Sequence, residues 1–289
     1  MPSVNVISQV KRALSNLNPS EVRQRAELPL SIGLVARTPG EHWRMESYFC
    51  PPLLSPAKRA EVSRMLHRRP VEDRGAHDLE IWDHSLALPE HVFGFNPEHP
   101  QLTVEEVLRR RPDLALPLAR YIYPFRKPVV DQLIHAVAKE NAMFSVATAL
   151  PDVIPFLTLP WALGEFASDT AFLTMNQIRM AFLIGAASDV GIGYREQRSE
   201  IGSIVAGAFG FRAIARELVG KIPLGGGLIP KAAIAWSGTY VVGRSVERLY
   251  SLGYAYTREE RKSAFEQAME KGREIADSIT AAFRRPRAT

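Results

Sequence analysis

A group of polar side chains stands in an otherwise apolar part of the sequence, where burial without a partner would be costly. Asn176, Gln177 and Arg179 fall within about one turn of a helix predicted over Ala171–Ala187. The surrounding region also contains the carboxylates Asp152, Glu165, Asp169 and Asp189 and the guanidinium of Arg212. A carboxylate paired with Arg179 or Arg212 could act in acid–base chemistry. The candidate cluster consists of Asp152, Asp169, Asn176, Gln177, Arg179 and Arg212.

Structural roles compete with this chemical interpretation. A carboxylate at a helix start, such as Asp169, caps the free backbone N–H groups there. Buried Asn and Gln side chains commonly satisfy backbone carbonyls. Helix caps and structural ion pairs are therefore the first alternative for every member of the cluster.

Other catalytic patterns do not occur in the sequence. The loop after the first predicted strand, Ala36–His42, lacks the glycines and the Lys-Ser/Thr pair of a phosphate loop, and the glycine-rich Lys221–Lys231 has prolines in the wrong places. Ser237 lacks the glycine that a nucleophile elbow needs two residues earlier, so helix packing is its expected role. The seven histidines show no HExxH spacing and are interpreted as scattered surface residues. We expect no phosphate loop, catalytic triad, metal site or cofactor.

Charge is distributed unevenly along the 289 residues. Residues 141–256 carry 17 charged side chains, whereas the other 173 residues carry 50, and 14 of the 19 glycines lie in that charge-poor stretch. Small residues and few charges let helices approach closely, either in a dense bundle or in lipid. The net charge of +5 and the apolar fraction of 46% exclude collagenous and disordered classes. The single cysteine, Cys50, excludes a disulfide scaffold and fits a reducing compartment.

The apolar pattern predicts a small α/β unit in the first part of the chain. Short apolar runs predict strands over Leu30–Ala36, Asp78–Trp82 and His91–Phe95. A helix is predicted from about Pro56 to Arg68. Before these elements, Asn18 should cap a helix that begins at Pro19.

From Thr103 onward the pattern becomes helical. Capping boxes are predicted at Thr103 with Glu106 and at Thr257 with Glu260, and new helices should begin at the prolines Pro112 and Pro128. The main later helices are predicted over Ala171–Ala187, Glu196–Val219 and Pro230–Leu252. The expected fold class is α+β, mostly α: a small N-terminal α/β unit with few strands, then an all-α bundle of apolar helices broken by Pro and Gly. The predicted divisions are basic amphipathic N-terminal helices at 1–27, the α/β unit at 28–102, the helical module at 103–256, and an amphipathic helix with a basic tail at 257–289.

The helix lengths leave membrane insertion open. A spanning helix needs about 20 mostly apolar residues. Ala142–Gly164 is long enough but contains three prolines, and Ala232–Gly243 has only 12 uncharged residues. A compact soluble bundle and a shallow, re-entrant or hairpin-like association with lipid are equal alternatives. In either case Ala235, Thr239 and Gly243, spaced four apart, predict a small-residue seam for close helix contact.

Basic residues cluster at Arg109–Arg111, at Arg126–Lys127 and at Arg284–Arg287. Acidic residues are interspersed and no nucleic-acid-reading motif is present, so nucleic acid is not an expected partner. Attraction to anionic lipid headgroups fits the neighbouring apolar helices, at about 1 kcal/mol per suitably placed basic residue. A solvated helix face is the equal alternative.

Four segments resemble domain-of-unknown-function family 697, which includes bacterial YcjF-related membrane proteins and modules fused behind Era-like GTPases. The segments are Leu173–Met180, Arg212–Arg216, Lys221–Lys231 and Gly238–Arg244, and the resemblance covers about residues 125–253. It implies a helical, membrane-associated accessory module that often works with a GTPase, and it carries over no catalytic residues. Within these motifs Lys221, Lys231 and Arg244 are candidate interaction residues.

The expected function is that of a non-enzymatic, membrane-associated accessory or scaffold protein on the cytoplasmic side of a bacterial inner membrane. The expected partners are a membrane surface or membrane-embedded segment, a GTPase or other protein, and a second copy of the chain. The alternative is a soluble enzyme or small-ligand binder that uses the polar cluster.

Overall fold

A computed structural model describes residues 17–72, 75–148, 169–206 and 228–284 of the chain. The chain forms two compact units. The first, which we call the α/β unit, comprises Glu21–Asp131 with Ala186–Val190; the second, the helical unit, comprises Met1–Ser20, Gln132–Gly185 and Gly191–Thr289. The fold is α+β and mostly α, with a small four-stranded parallel sheet, which confirms the predicted fold class. The division into four ranges stays a prediction.

The α/β unit is built on a parallel sheet with the strand order β2-β1-β3-β4. Its strands are β1 Ile32–Val35, β2 Leu66–Arg69, β3 Leu79–Asp83 and β4 Phe93–Phe95. Its helices are α1 Pro19–Ala26, α2 Pro39–Phe49, α3 Pro56–Ser63, α4 Pro100–Arg110 and α5 Ala115–Tyr121, with a single 3-10 turn at Pro112–Leu114. Three of the strands lie where the apolar runs predicted them.

Aromatic rings fill the core of the α/β unit. The ring of Phe49 at the end of α2 lies 5.8 Å from that of Phe95 in β4 and 6.2 Å from that of Phe125, and all three side chains are fully buried. Large rings bury much apolar area at a small cost in side-chain entropy. This core packs β4 and the helix segment around Phe125 against the end of α2.

Two elements of this unit differ from the prediction. The predicted helix Pro56–Arg68 ends at Ser63, and the residues after it form β2. β2 lies at the sheet edge and buries only Leu66, so its sequence shows no alternation that would reveal a strand. Helix α2 was not predicted, because only Met45 and Phe49 of its 11 residues are buried.

Two predicted helix starts are also wrong. Thr103 does not cap a helix with Glu106, because α4 already begins at Pro100 and the Thr103 hydroxyl donates to the Gly94 carbonyl at 2.7 Å. Pro128 lies inside a helix rather than at its start. The prolyl ring removes one backbone hydrogen bond there, and the buried side chains of Phe125, Val129 and Val130 hold the helix in place by packing.

The helical unit is formed by long helices. They are α6 Tyr123–Ala147, whose residues from Gln132 onward belong to this unit, α7 Asp169–Ala187, a helical segment at 198–206, α8 Leu228–Leu252 and α9 Arg258–Arg284. Several predictions lie outside the described residues, namely the helix Val4–Leu17 up to residue 16, the prolines at 151, 155 and 160, the helix 196–219 beyond residue 206, the loop 223–227 and the basic tail beyond residue 284.

Helices α8 and α9 pack antiparallel over most of their length. Gly253, with φ +85°, ends α8 in the left-handed conformation that glycine adopts without strain. The predicted capping box then starts α9: the Thr257 N–H donates to the Glu260 carboxylate at 2.8 Å and the Glu260 N–H to the Thr257 hydroxyl at 3.2 Å. Along the interface the buried Ser237 hydroxyl donates to the Ala268 carbonyl at 3.1 Å, so Ser237 has the packing role that its sequence context predicted.

Small residues set how closely the helices of this unit approach. Ala235, Thr239 and Gly243 of α8, the predicted seam, are all buried. A Cβ atom at Gly243 would lie 2.8 Å from an Ile134 side-chain carbon on α6. On the other interface of α8, a Cβ at Gly272 of α9 would lie 2.9 Å from the Ala233 carbonyl oxygen. Packing of this kind depends on the glycines themselves.

The short segment Ala186–Val190, at the end of α7, belongs to the α/β unit and is anchored there by Asp189. The Asp189 carboxylate lies 2.8 Å from Lys58 Nζ and 3.4 Å from a terminal nitrogen of Arg120. Its backbone has φ +60°, a conformation that is strained for most residues but tolerated by Asp and Asn. The two ion pairs offset this backbone cost.

Two substitutions of Asp189 separate the contribution of its ion pairs to the free energy of unfolding from the cost of its backbone conformation. Asp189→Ala removes both ion pairs and keeps the backbone strain, so we expect the free energy of unfolding to fall by about 2–3 kcal/mol. Asp189→Gly also removes the ion pairs but relieves the strain, so its loss should be about 1 kcal/mol smaller. Urea denaturation followed by circular dichroism measures both values. Equal losses in the two variants would contradict the argument from backbone strain.

Replacing Gly272 tests the close approach of α8 and α9. Gly272→Ala places a methyl group against the Ala233 carbonyl and should lower the free energy of unfolding by about 1–3 kcal/mol. Gly202→Ala is the matched control, since a Cβ there meets nothing within 4 Å. That variant should be neutral or more stable by up to about 1 kcal/mol, because alanine is the better helix former. If Gly272→Ala leaves the free energy of unfolding unchanged, the two helices can move apart to accommodate the methyl group, and the argument from close approach is contradicted.

Candidate functional site

Six polar side chains from three helices meet inside the helical unit, and we call them the buried polar cluster. Its members are Glu140 and Asn141 of α6, Asn176, Gln177 and Arg179 of α7, and Thr239 of α8. Asn141 is 0% and Thr239 1% exposed. Polar groups at such depth need hydrogen-bond partners from the protein.

The inner half of the cluster is centred on the Asn141 amide. Its nitrogen donates to the Thr239 hydroxyl at 2.7 Å, and its oxygen accepts from the Asn176 amide nitrogen at 2.9 Å. Gln177 Nε2 donates to the same Thr239 oxygen at 3.3 Å. One amide therefore links α6, α7 and α8 through direct hydrogen bonds.

The outer half of the cluster is an ion pair between Arg179 and Glu140. Arg179 donates to Glu140 Oε2 through a terminal nitrogen, and its Nε donates to Asn176 Oδ1 at 2.9 Å. Asn176 Nδ2 also donates to Glu140 Oε2, at 3.2 Å. The Arg179 and Glu140 side chains are 19% and 35% exposed, so the pair lies at the edge of the bundle. Charge-assisted hydrogen bonds of this kind fix the side-chain amide of Asn176, which in turn bonds to Asn141.

Three of the six predicted cluster residues come together, namely Asn176, Gln177 and Arg179. Asp169 begins α7, and Asp152 and Arg212 lie outside the described residues, as does Glu165. The hypothesised pairing of Asp189 with Arg179 is wrong, because Asp189 follows the end of α7 and pairs with Lys58 and Arg120 in the other unit.

Glu140, Asn141 and Thr239 are functional-site candidates that the sequence reasoning missed. Asn141 carried a usable signal, since helical spacing places it seven residues after Ile134 and four after Val137, on the same buried face of α6. An amide in an apolar helix face predicts a polar partner on a neighbouring helix. Nothing in the local sequence, however, indicates which helix supplies that partner.

The two predicted interaction residues in the described ranges both contact the helical unit itself. Lys231 Nζ donates to the Thr148 hydroxyl at 3.2 Å. Arg244 donates to Glu247 at 2.7 Å, and its guanidinium lies 5.0 Å from the Tyr240 ring centroid. Lys221 lies outside the described residues. Recognition of a partner by Lys231 or Arg244 would compete with these contacts.

The turn between β1 and α2 is where a parallel α/β sheet commonly holds a phosphate, because the free N–H groups of a helix start point there. In this protein the Glu41 carboxylate accepts from the Arg37 and Thr38 N–H groups, both at 2.9 Å. Thr38 completes a capping box with Glu41. The chain's own carboxylate therefore engages the N–H groups of this turn.

A serine and a histidine also meet in the α/β unit, but in the wrong arrangement for nucleophile activation. His77 Nδ1 lies 2.8 Å from the Ser31 hydroxyl, and His77 Nε2 lies 2.7 Å from an Arg69 nitrogen. Arginine only donates, so Nε2 is the acceptor and the Nδ1–H donates to Ser31. The basic nitrogen thus faces Arg69 and not the serine. His67 stacks on His77 with ring centroids 5.2 Å apart, so the prediction that the histidines are scattered is wrong for these two.

The basic clusters are only partly directed to solvent. Arg110, Arg111 and Arg126 donate to backbone carbonyls, for example from Arg110 to the Val92 carbonyl at 3.0 Å and from Arg111 to the Asp78 carbonyl at 2.6 Å. Burial lowers the pKa of Arg126. Arg109 and Lys127, in contrast, have side chains that are 72% and 74% exposed. Among the described side chains of these clusters, these two are the most exposed.

Substitutions of Asn141 test the buried polar cluster. Asn141→Ala leaves the Thr239 hydroxyl and the Asn176 amide without their shared partner, so the free energy of unfolding should fall by about 2–4 kcal/mol. Adding Thr239→Ala to that variant should cost much less than Thr239→Ala alone, with a coupling of about 1 kcal/mol. Gln267→Ala on the exposed face of α9 is the control. All free energies of unfolding are measured by urea denaturation. If the loss in the double variant equals the sum of the losses in the two single variants, Asn141 and Thr239 are not coupled and the hydrogen-bond network is contradicted.

No helix in the described ranges is long and apolar enough to cross a membrane. Among the same residues, no group of three or more His, Cys, Asp or Glu side chains is placed to hold a metal ion. No protein-family model, curated protein or solved structure matches the chain.

Proposed function

We propose that the protein is a non-enzymatic accessory protein that works at the inner face of a membrane and scaffolds or regulates a second protein, with a GTPase as the expected partner class. The observation that carries this proposal is the self-contained bonding of the buried polar cluster. Its amides, hydroxyl and ion pair bond to one another across α6, α7 and α8. Such an arrangement fixes helices and leaves these groups engaged rather than poised for a substrate.

Two further places in the α/β unit support the same proposal. At the start of α2 the Glu41 carboxylate accepts hydrogen bonds from two backbone N–H groups of the turn, and Arg69 donates a hydrogen bond to the basic nitrogen of His77. In each case a group that could do chemistry is engaged by another side chain of the protein. The alternative, an enzyme or small-ligand binder that uses the polar cluster, has less support because Asn176 and Arg179 are already bonded to Glu140 and Asn141.

The membrane and GTPase parts of the proposal rest on the sequence. Residues 141–256 carry about half the charge density of the remaining chain, and their motifs resemble a family of membrane-associated modules. A peripheral or shallow attachment requires only an amphipathic helix with basic residues on its polar face. Basic residues near the surface would add electrostatic attraction to anionic headgroups.

Membrane attachment is tested by fractionation and by vesicle binding of the full chain. After cell lysis at low salt we expect most of the protein in the membrane pellet. On vesicles with anionic lipid, the double variant Arg109→Gln, Lys127→Gln should bind about thirtyfold more weakly, because about 1 kcal/mol is lost for each of the two basic residues. Lys271→Gln, which removes a side chain that is 62% exposed, is the matched control and should bind as the parent does. Recovery of nearly all the protein in the low-salt soluble fraction would contradict the membrane part.

The partner class is tested by crosslinking in intact cells, followed by affinity capture from solubilised membranes. We expect a GTPase to be enriched over its level in a parallel capture with an unrelated tagged helical protein. Crosslinked products that contain no GTPase would contradict that part of the proposal and leave the membrane result unaffected.

A further inference from the structure

The helical unit contains a cavity of about 270 Å³ that does not involve the buried polar cluster. It lies between the helical segment 198–206, α8 and the start of α9. The floor is apolar and buried, with Ile204, Val242 and Val246, whereas Ser199 and Ser203 at the rim are exposed. An apolar floor with a few polar groups at the rim is the usual composition of a small-molecule site.

Glu200 lines this cavity and is only 8% exposed. Its two oxygens accept from the hydroxyls of Tyr250 at 2.9 Å and Ser199 at 2.5 Å. Within the described residues it has no ion-pair partner. A buried carboxylate that only hydroxyl groups compensate is a strong acceptor for a cation.

A chain of hydrogen bonds holds this carboxylate in place. The fully buried Gln197 amide donates to the Tyr250 oxygen at 2.6 Å and to the Ala181 carbonyl at 2.8 Å. Burial, together with the nearby Glu200 carboxylate, raises the pKa of Tyr250 above its ordinary value. The phenol therefore stays protonated and donates a hydrogen bond to Glu200, which fixes the orientation of the carboxylate.

Arg261 lines the same cavity and supplies the opposite charge. Its Nε donates to the Thr257 carbonyl at 3.4 Å, and it makes no ion pair with any residue of the described ranges. Glu200 and Arg261 thus share one cavity without pairing with each other. A ligand between them could pair with both.

We propose that this cavity binds a small aliphatic zwitterion of the amino-acid class. The ammonium group of the ligand contacts Glu200, its carboxylate contacts Arg261, and its aliphatic side chain packs on Ile204, Val242 and Val246. The site would give the protein a response to a small metabolite, independently of membrane attachment or a protein partner.

The test uses purified full-length protein and L-leucine as the probe, with binding measured by calorimetry. Two analogues remove one charge each: 3-methylbutylamine lacks the carboxylate and 4-methylpentanoate lacks the ammonium. We expect leucine to bind at least about tenfold more tightly than either analogue, which corresponds to about 1.4 kcal/mol. Failure of leucine to bind at about 10 mM would overturn the proposal.

Matched variants test which residue contacts the ammonium group of the ligand and which contacts its carboxylate. Glu200→Gln keeps the acceptor for Tyr250 and should weaken leucine and 3-methylbutylamine about tenfold while leaving 4-methylpentanoate unchanged. Arg261→Gln should weaken leucine and 4-methylpentanoate instead. Val246→Phe fills the floor and should abolish binding of all three, and Glu196→Gln, outside the cavity, is the control. Circular dichroism checks the fold of each variant. Leucine binding that survives both Glu200→Gln and Val246→Phe would place the ligand elsewhere and overturn the proposal.

Discussion

The helical unit depends on the requirement that a buried amide finds a partner for each of its polar atoms. Asn141 meets this requirement with Thr239 on α8 and Asn176 on α7, at distances of 2.7 and 2.9 Å. Apolar contacts between helices are non-directional, so small rotations and shifts that keep the close contacts at the glycines cost little. A hydrogen bond does not tolerate such shifts, since it weakens steeply away from its preferred geometry. Asn141 therefore selects one arrangement of three helices among several that the small residues alone would accept, and Arg179 with Glu140 holds the outer end of that arrangement.

In the α/β unit the chain's own side chains engage two groups that could otherwise contact a ligand. A βα turn offers free N–H groups to an anion whether the anion comes from a nucleotide or from the protein, and here Glu41 is that anion. The same holds for His77, whose basic nitrogen accepts from Arg69. The cavity around Glu200 in the helical unit is different, since there the charged groups remain without a mutual partner.

Much of the fold could be predicted because burial leaves a local pattern. β1 is buried at all four positions and reads as an apolar run, and the capping box at Thr257 and Glu260 is a local chemical signal. β2 could not be predicted, because an edge strand needs only one buried residue, Leu66. The residues of the candidate site likewise differ in how far the local sequence reveals them. Asn176, Gln177 and Arg179 stand out as polar residues in an apolar helix, whereas the partners Asn141 and Thr239 are 98 residues apart and meet only through tertiary packing.

The ion pair between Lys58 and Asp189 has a consequence for folding during synthesis. The two residues are separated by 131 positions, and Asp189 follows α6 and α7 in the chain. All strands of the sheet have left the ribosome before Asp189 is made. At about 5–20 residues per second, the interval between residue 131 and residue 189 lasts several seconds. During that interval Lys58 and Arg120 lack this carboxylate, so the α/β unit completes its contacts only after α6 and α7 have been translated.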